Sequence, residues 1–147
     1  LEIARNGGAR VASFNMNEDD VINFMKQPWV MTSSDGTKGH PRKFASYPQK
    51  YYEYVKGKAV LSVQEFIHRS SGMVAETLGM AIRGLIRPQY MADVIVFDPE
   101  ADSPSADFYQ PEELTGGVKF LFVNGQLTID RGIYNGTLAG VVIKKLE

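Results

Sequence analysis

The chain has 147 residues, 44% of them hydrophobic and 22% charged, and a formal net charge of −1. These totals suit one globular domain with a real core. They exclude overall disorder and a broad nucleic-acid surface, which would need a basic face. No apolar run approaches the ~20 residues of a membrane span.

Cysteine is absent, so neither disulfides nor thiolate chemistry can come from this chain. His40 and His68 are the only histidines, too few for a zinc site built by this chain alone. The lack of cysteine and of a signal-peptide pattern is compatible with a cytoplasmic protein. A start on Leu1 suggests a piece of a longer or processed protein, and Leu146-Glu147 reads as an expression remnant.

Val11–Phe14, after Gly7-Gly8, predicts a brief strand. Asn17 predicts a helix N-cap, with Glu18, Asp19 and Asp20 in the first turn where the helix dipole favours negative charge. Val21, Phe24 and Met25 follow at helical spacing, and Pro28 ends the element. The apolar run Trp29–Thr32 predicts a short strand buried on both faces, as parallel strands between helices are.

Tyr51, Tyr52, Tyr54 and Val55 predict a helix over 48–55 that breaks at Gly57. Ser62-Val63-Gln64-Glu65 is a capping box, with Leu61 and Phe66 placed for a hydrophobic staple. Ser70-Ser71-Gly72 interrupts that helix. A further helical stretch over 74–78 stops at Gly79. Beyond Ile82 the pattern turns to β. Val94–Phe97 is a strand and 98–111 a polar, proline-punctuated loop. Strands over 119–123 and 126–129 are joined by Asn124-Gly125, the strongest hairpin signal in the chain. Residues 140–144 predict a closing strand.

The candidate chemistry follows Trp29–Thr32. Asp35 lies just past it. At the C-terminal end of a barrel strand, a carboxylate could meet a metal and take a proton from its bound water; Ser34-Asp35-Gly36 is also a good turn in its own right. Pro41 restricts His40 to extended backbone. Arg42 offers a planar fork for a carboxylate, although a solvated loop arginine is the commoner use. His68 reads as structural or solvent-facing, and the Asn17–Asp20 run as capping. The alternating acids Asp98, Glu100 and Asp102 lack the sixth-position glycine of an EF-hand. Asn135-Gly136-Thr137 is a glycosylation sequon with meaning only in a secreted protein.

Several segments together resemble the C-terminal third of the amidohydrolase superfamily, and within it the N-acyl-D-amino-acid deacylases. They are NMNEDDVINFMKQPWVMTSSDG at 15–36, GHPR at 39–42, LSVQEFIHRSSGMVAETLGM at 61–80, RGLIRPQYMADVIVFDP at 83–99 and FVNGQ at 122–126. The sequence departs from the family pattern at Val74, where proline is usual, and at Gln89, where glycine is usual.

The resemblance implies an α/β plus β fold. Residues 1–80 would be the end of a metal-dependent (β/α)₈ barrel, and 81–147 the C-terminal strands of a small β-sandwich. It implies an enzyme acting on a small molecule, an N-acyl-D-amino acid, with neither nucleic acid nor membrane as partner. Zn²⁺ would be the cofactor, its ligands mostly outside this chain. Asp35 would be the general acid/base and a possible metal contact, Arg42 the receptor of the substrate carboxylate, and His40 a lining residue. The isolated chain would be inactive and prone to self-association. The other functional reading is a non-catalytic binding module derived from such a tail.

Overall fold

The computed structural model describes residues 2–7, 13–101 and 104–143. Helices dominate the first half: α1 (Glu2–Arg5), α2 (Glu18–Lys26), α3 (Arg42–Lys50), α4 (Val63–Ser70) and α5 (Gly72–Thr77). The second half is an antiparallel meander of β1 (Val94–Phe97), β2 (Val118–Val123), β3 (Gln126–Asp130) and β4 (Ile133–Tyr134), paired in chain order.

The helix starts follow their local chemistry. Asn17 Oδ1 accepts the Asp19 N–H at 2.8 Å and opens α2. The capping box of α4 is complete: the Glu65 N–H donates to Ser62 Oγ, and Glu65 Oε2 accepts the Ser62 N–H. Those contacts hold the Glu65 carboxyl below the usual carboxylate range, the Ser62 N–H contributing most. The staple pair Leu61 and Phe66 enters the core with Tyr51 and Val55, and Met25, Val60 and Phe97 pack against it.

Two differences from the sequence pattern concern this half. α3 begins at Arg42, well ahead of the expected 48, and carries Pro48 inside it. It passes directly into a π-helical stretch, Tyr51–Gly57. The wider turn leaves Tyr51 and Val55 buried together. The expected strand at 29–32 is irregular, with Trp29 69% exposed. An apolar run becomes a strand only where a neighbour supplies a ladder. Here the Thr32 N–H instead donates to the carbonyl of Arg69 at 3.0 Å.

Helix and sheet halves join at Phe97, whose ring lies edge-on to Tyr51 with centroids 5.7 Å apart. Lys56 Nζ adds a contact to the Pro99 carbonyl at 3.1 Å. In the β2–β3 turn, Asn124 (φ +49°) and Gly125 (φ +79°) are both left-handed, as a type I′ hairpin turn requires. Arg83 clamps this turn. Its guanidinium pairs with Asp93 and donates to Asn124 Oδ1 at 2.7 Å, while Asp93 Oδ1 accepts the Asn124 N–H. The arginine-glycine and alanine-aspartate pattern of 83–93 thus has a structural use.

Gly84 is equally constrained. At φ +80°, an added Cβ would sit 2.6 Å from the Ala75 Cβ and 3.0 Å from the Ser71 carbonyl. Gln89, at the family's glycine position, has φ +70°, the region that favours glycine.

Residues 140–143 are irregular, where a closing strand was expected, and Lys144 lies outside the described residues. The short β4 takes its place on β3, pairing Ile129 with Tyr134 and Asp130 with Ile133. Of the strand expected at 11–14, Ser13 and Phe14 are irregular and the rest lies outside the described residues.

Candidate functional site

The three sequence candidates come together at the start of α3. The chain leaves Thr32, which is buried, and turns at Asp35 with φ +44°, a left-handed conformation that aspartate tolerates. Gly36 then passes close to the first turn of α3: a Cβ there would lie 3.1 Å from the Lys43 Cα. This close approach lets the turn fold back so that Arg42 NH2 meets Asp35 Oδ2 at 3.0 Å. The Asp35 side chain is 80% exposed and that of Arg42 38%. Arg42 Nε is buried without a hydrogen-bond partner among the described residues.

His40 completes the group. Pro41, at the N-cap of α3, makes no side-chain cap. His40 Nδ1 instead accepts the Arg42 N–H at 3.1 Å. The arrangement can offer a carboxylate for proton transfer and a guanidinium for an anion, currently paired with each other.

A second polar cluster underlies the segment. Thr32 Oγ1 accepts from Lys50 Nζ at 2.8 Å and from Ser70 Oγ at 3.0 Å. Arg69, buried, donates through NH1 to the carbonyls of Met25 and Gln27. Burial, reinforced by the Arg69 charge, pushes the Lys50 ammonium below its ordinary range. Sequence reasoning missed this cluster. Lys50 stands beside a tyrosine-rich run whose apolar pattern gives no sign of a half-buried amine.

The remaining sequence candidates have structural surroundings. His68 is exposed on α4. Tyr54 OH and Lys58 Nζ both contact Glu18, tying α2 to the π-helical stretch. Asp98 accepts the Glu100 N–H, which with Lys119 nearby keeps its carboxyl below the usual range; Asp102 lies outside the described residues. An open apolar groove lined by Ile95, Leu121, Val123, Val141 and Ile143 includes none of the candidate residues.

No protein-family model matches the chain. Three curated proteins of Alcaligenes xylosoxydans xylosoxydans are similar to it. An N-acyl-D-aspartate deacylase is 31% identical across 87% of this chain, and a D-aminoacylase 29% identical across 90%. An N-acyl-D-glutamate deacylase is 28% identical across 76%. Among solved structures, a D-aminoacylase described as defining a novel subset of amidohydrolases superposes with a TM-score of 0.79 at 30% identity, over 85% of this chain.

The chain is homologous to D-aminoacylase-type amidohydrolases.

It spans about a quarter of the length of these curated relatives, 26% and 28% of the first two. The N-acyl-D-glutamate deacylase of Bordetella bronchiseptica, solved with zinc and a phosphonate mimic of the tetrahedral intermediate, matches with a TM-score of 0.75 at 29% identity, over 86% of this chain and 30% of its own. A further D-aminoacylase structure concerns a binuclear metal centre.

The D-aminoacylase likeness thus brings metal into question, and the chain's own donors can be tested against it. Among the described residues, no three His, Cys, Asp or Glu side chains gather as a metal site requires. His40 Nδ1 is committed to a backbone N–H, and the Asp35 carboxylate is paired with Arg42. The donors among the described residues do not form a metal centre of their own. No helix among the described residues is long and apolar enough to cross a membrane.

Proposed function

We propose that this chain is the C-terminal part of a metal-dependent hydrolase that cleaves the amide bond of N-acyl-D-amino acids, releasing a carboxylate and a D-amino acid. Residues 1–80 close its barrel and 81–147 contribute to a β-sandwich. Zinc, which the likeness implies, would be held by segments outside this chain. Asp35 is the group that carries a proton, and Arg42 receives the substrate's α-carboxylate beside it. His40 holds the start of α3 that aims the guanidinium. The 3.0 Å contact between Arg42 and Asp35 carries this reading. It shows the guanidinium within reach of one carboxylate, and a substrate carboxylate taking its place would leave Asp35 Oδ2 free for the proton. A planar fork suits such an exchange because it binds either carboxylate in the same geometry.

Without the rest of the polypeptide the chain is inactive, since one carboxylate and one histidine do not replace a metal site. Exposed apolar side chains such as Trp29, Ile86 and Leu138 favour its self-association.

The test is hydrolysis by the polypeptide of the relatives' length, loaded with zinc, on paired N-acetyl-D- and N-acetyl-L-amino acids. Turnover of the D-series is expected. Loss of amide cleavage across both series would refute the reading.

A further inference from the structure

The loop between β1 and β2 returns to the candidate site. Thr115 Oγ1 donates to the Phe44 carbonyl in the first turn of α3 at 3.2 Å, and Ala106 is buried. Between these two anchors, Asp107 Oδ1 accepts the N–H groups of Tyr109 at 2.7 Å and Gln110 at 2.6 Å, which fixes a tight turn. Phe108 rides on that turn. Its ring meets the His40 imidazole edge-on, with centroids 5.1 Å apart and planes at 70°. Phe14 also meets the Phe108 ring edge-on, with centroids 5.4 Å apart. Contacts therefore run without a break from Phe108 through His40 and Arg42 to Asp35.

We propose that Phe108 is a positioning residue of the candidate site. By packing on His40 it holds the imidazole in the one tautomer and orientation that cap α3, and so aims Arg42 at a carboxylate ligand. A neutral imidazole has a single acceptor nitrogen. Nδ1 can take the Arg42 N–H only while the ring proton sits on Nε2. Pro41 supplies no side-chain acceptor at this helix start, so His40 is what the first turn relies on. Phe108 is 49% exposed and outside the core cluster; its ring contacts are with His40 and Phe14. The carboxylate ligand rests on the proposed function, whereas the packing stands independently of it.

Nitrogen NMR of the ¹⁵N-labelled chain tests the packing. His40 is expected as a single Nε2–H tautomer in wild type, as a mixture in Phe108→Ala, and as a single tautomer again in Phe108→Tyr, which keeps the ring. A single tautomer in Phe108→Ala overturns the proposal. In the zinc-loaded polypeptide, Phe108→Ala is expected to raise KM for an N-acetyl-D-amino acid about three- to tenfold, the range an edge-on aromatic pair sustains, with the loss confined to KM. His40→Ala should raise it at least as much, and the double variant no further. Additive losses would show that Phe108 does not act through His40 and would overturn the proposal. Should the wild type hydrolyse no N-acyl amino acid, the proposed function fails while the tautomer measurement still decides the role of Phe108.

Discussion

Arg83→Met keeps the apolar stem of the side chain and removes its guanidinium fork. Two charge-assisted contacts disappear, the pair with Asp93 and the 2.7 Å bond to Asn124 Oδ1. Hydrogen bonds to charged groups contribute about 1.5–3 kcal/mol each when buried. The Arg83 side chain is 14% exposed but that of Asp93 is 38%, so water recovers part of the loss on the acidic side and the ion pair is discounted accordingly. The expected cost is about 2–3 kcal/mol in all. For a chain of this size that is a fall in Tm of roughly 4–12 °C. Urea unfolding of wild type, Arg83→Met, Asp93→Asn and the double variant measures it. A coupling of about 1–2 kcal/mol is expected, because the first substitution removes what the second would break. Additive costs, or a single-variant loss below about 0.5 kcal/mol, would refute the view that this network holds the β2–β3 turn.

Gly84→Ala combines a left-handed backbone with a Cβ driven against Ala75 and the Ser71 carbonyl; a loss of about 2–4 kcal/mol in urea is expected. Gln89→Gly should do the opposite. Its φ of +70° lies in the left-handed region that favours glycine over glutamine, and relief raises stability by up to about 1 kcal/mol, read as a higher urea midpoint. The Ser62 contacts hold the folded-state pKa of the Glu65 carboxyl below its ordinary value. The stabilisation is therefore present above the ordinary carboxylate pKa and fades as pH falls through the lowered folded pKa. Urea midpoints between about pH 6 and about pH 3 should fall less in Glu65→Gln than in wild type, and parallel curves would contradict this linkage.

How much of this was legible in the sequence depends on whether a signal is local. The Ser62–Glu65 capping box and the Asn17 cap need only a few neighbouring residues, and both formed as read. Asn124-Gly125 names its turn through backbone freedom alone, and β2 and β3 follow. Trp29–Thr32 failed as a strand because strand character is set by a ladder partner, which an apolar run cannot encode. The π-helical stretch was invisible for a similar reason: an apolar spacing near four residues is shared by α and π turns. At the candidate site, Asp35, His40 and Arg42 are close in sequence and could be grouped by eye. Phe108 could not, since a phenylalanine in a polar loop says nothing of which ring it will meet. Lys50 and Arg69 were missed because burial of a cation follows from tertiary packing around Thr32.

The most direct measurement for the proposed chemistry is steady-state hydrolysis by Asp35→Asn in the zinc-loaded polypeptide of the relatives' length, with zinc content determined on the same sample. A proton-carrying carboxylate contributes about 10²–10⁴ to the rate. The account predicts a kcat lower by at least about 100-fold with zinc content close to wild type; a near-normal kcat would remove Asp35 from the mechanism.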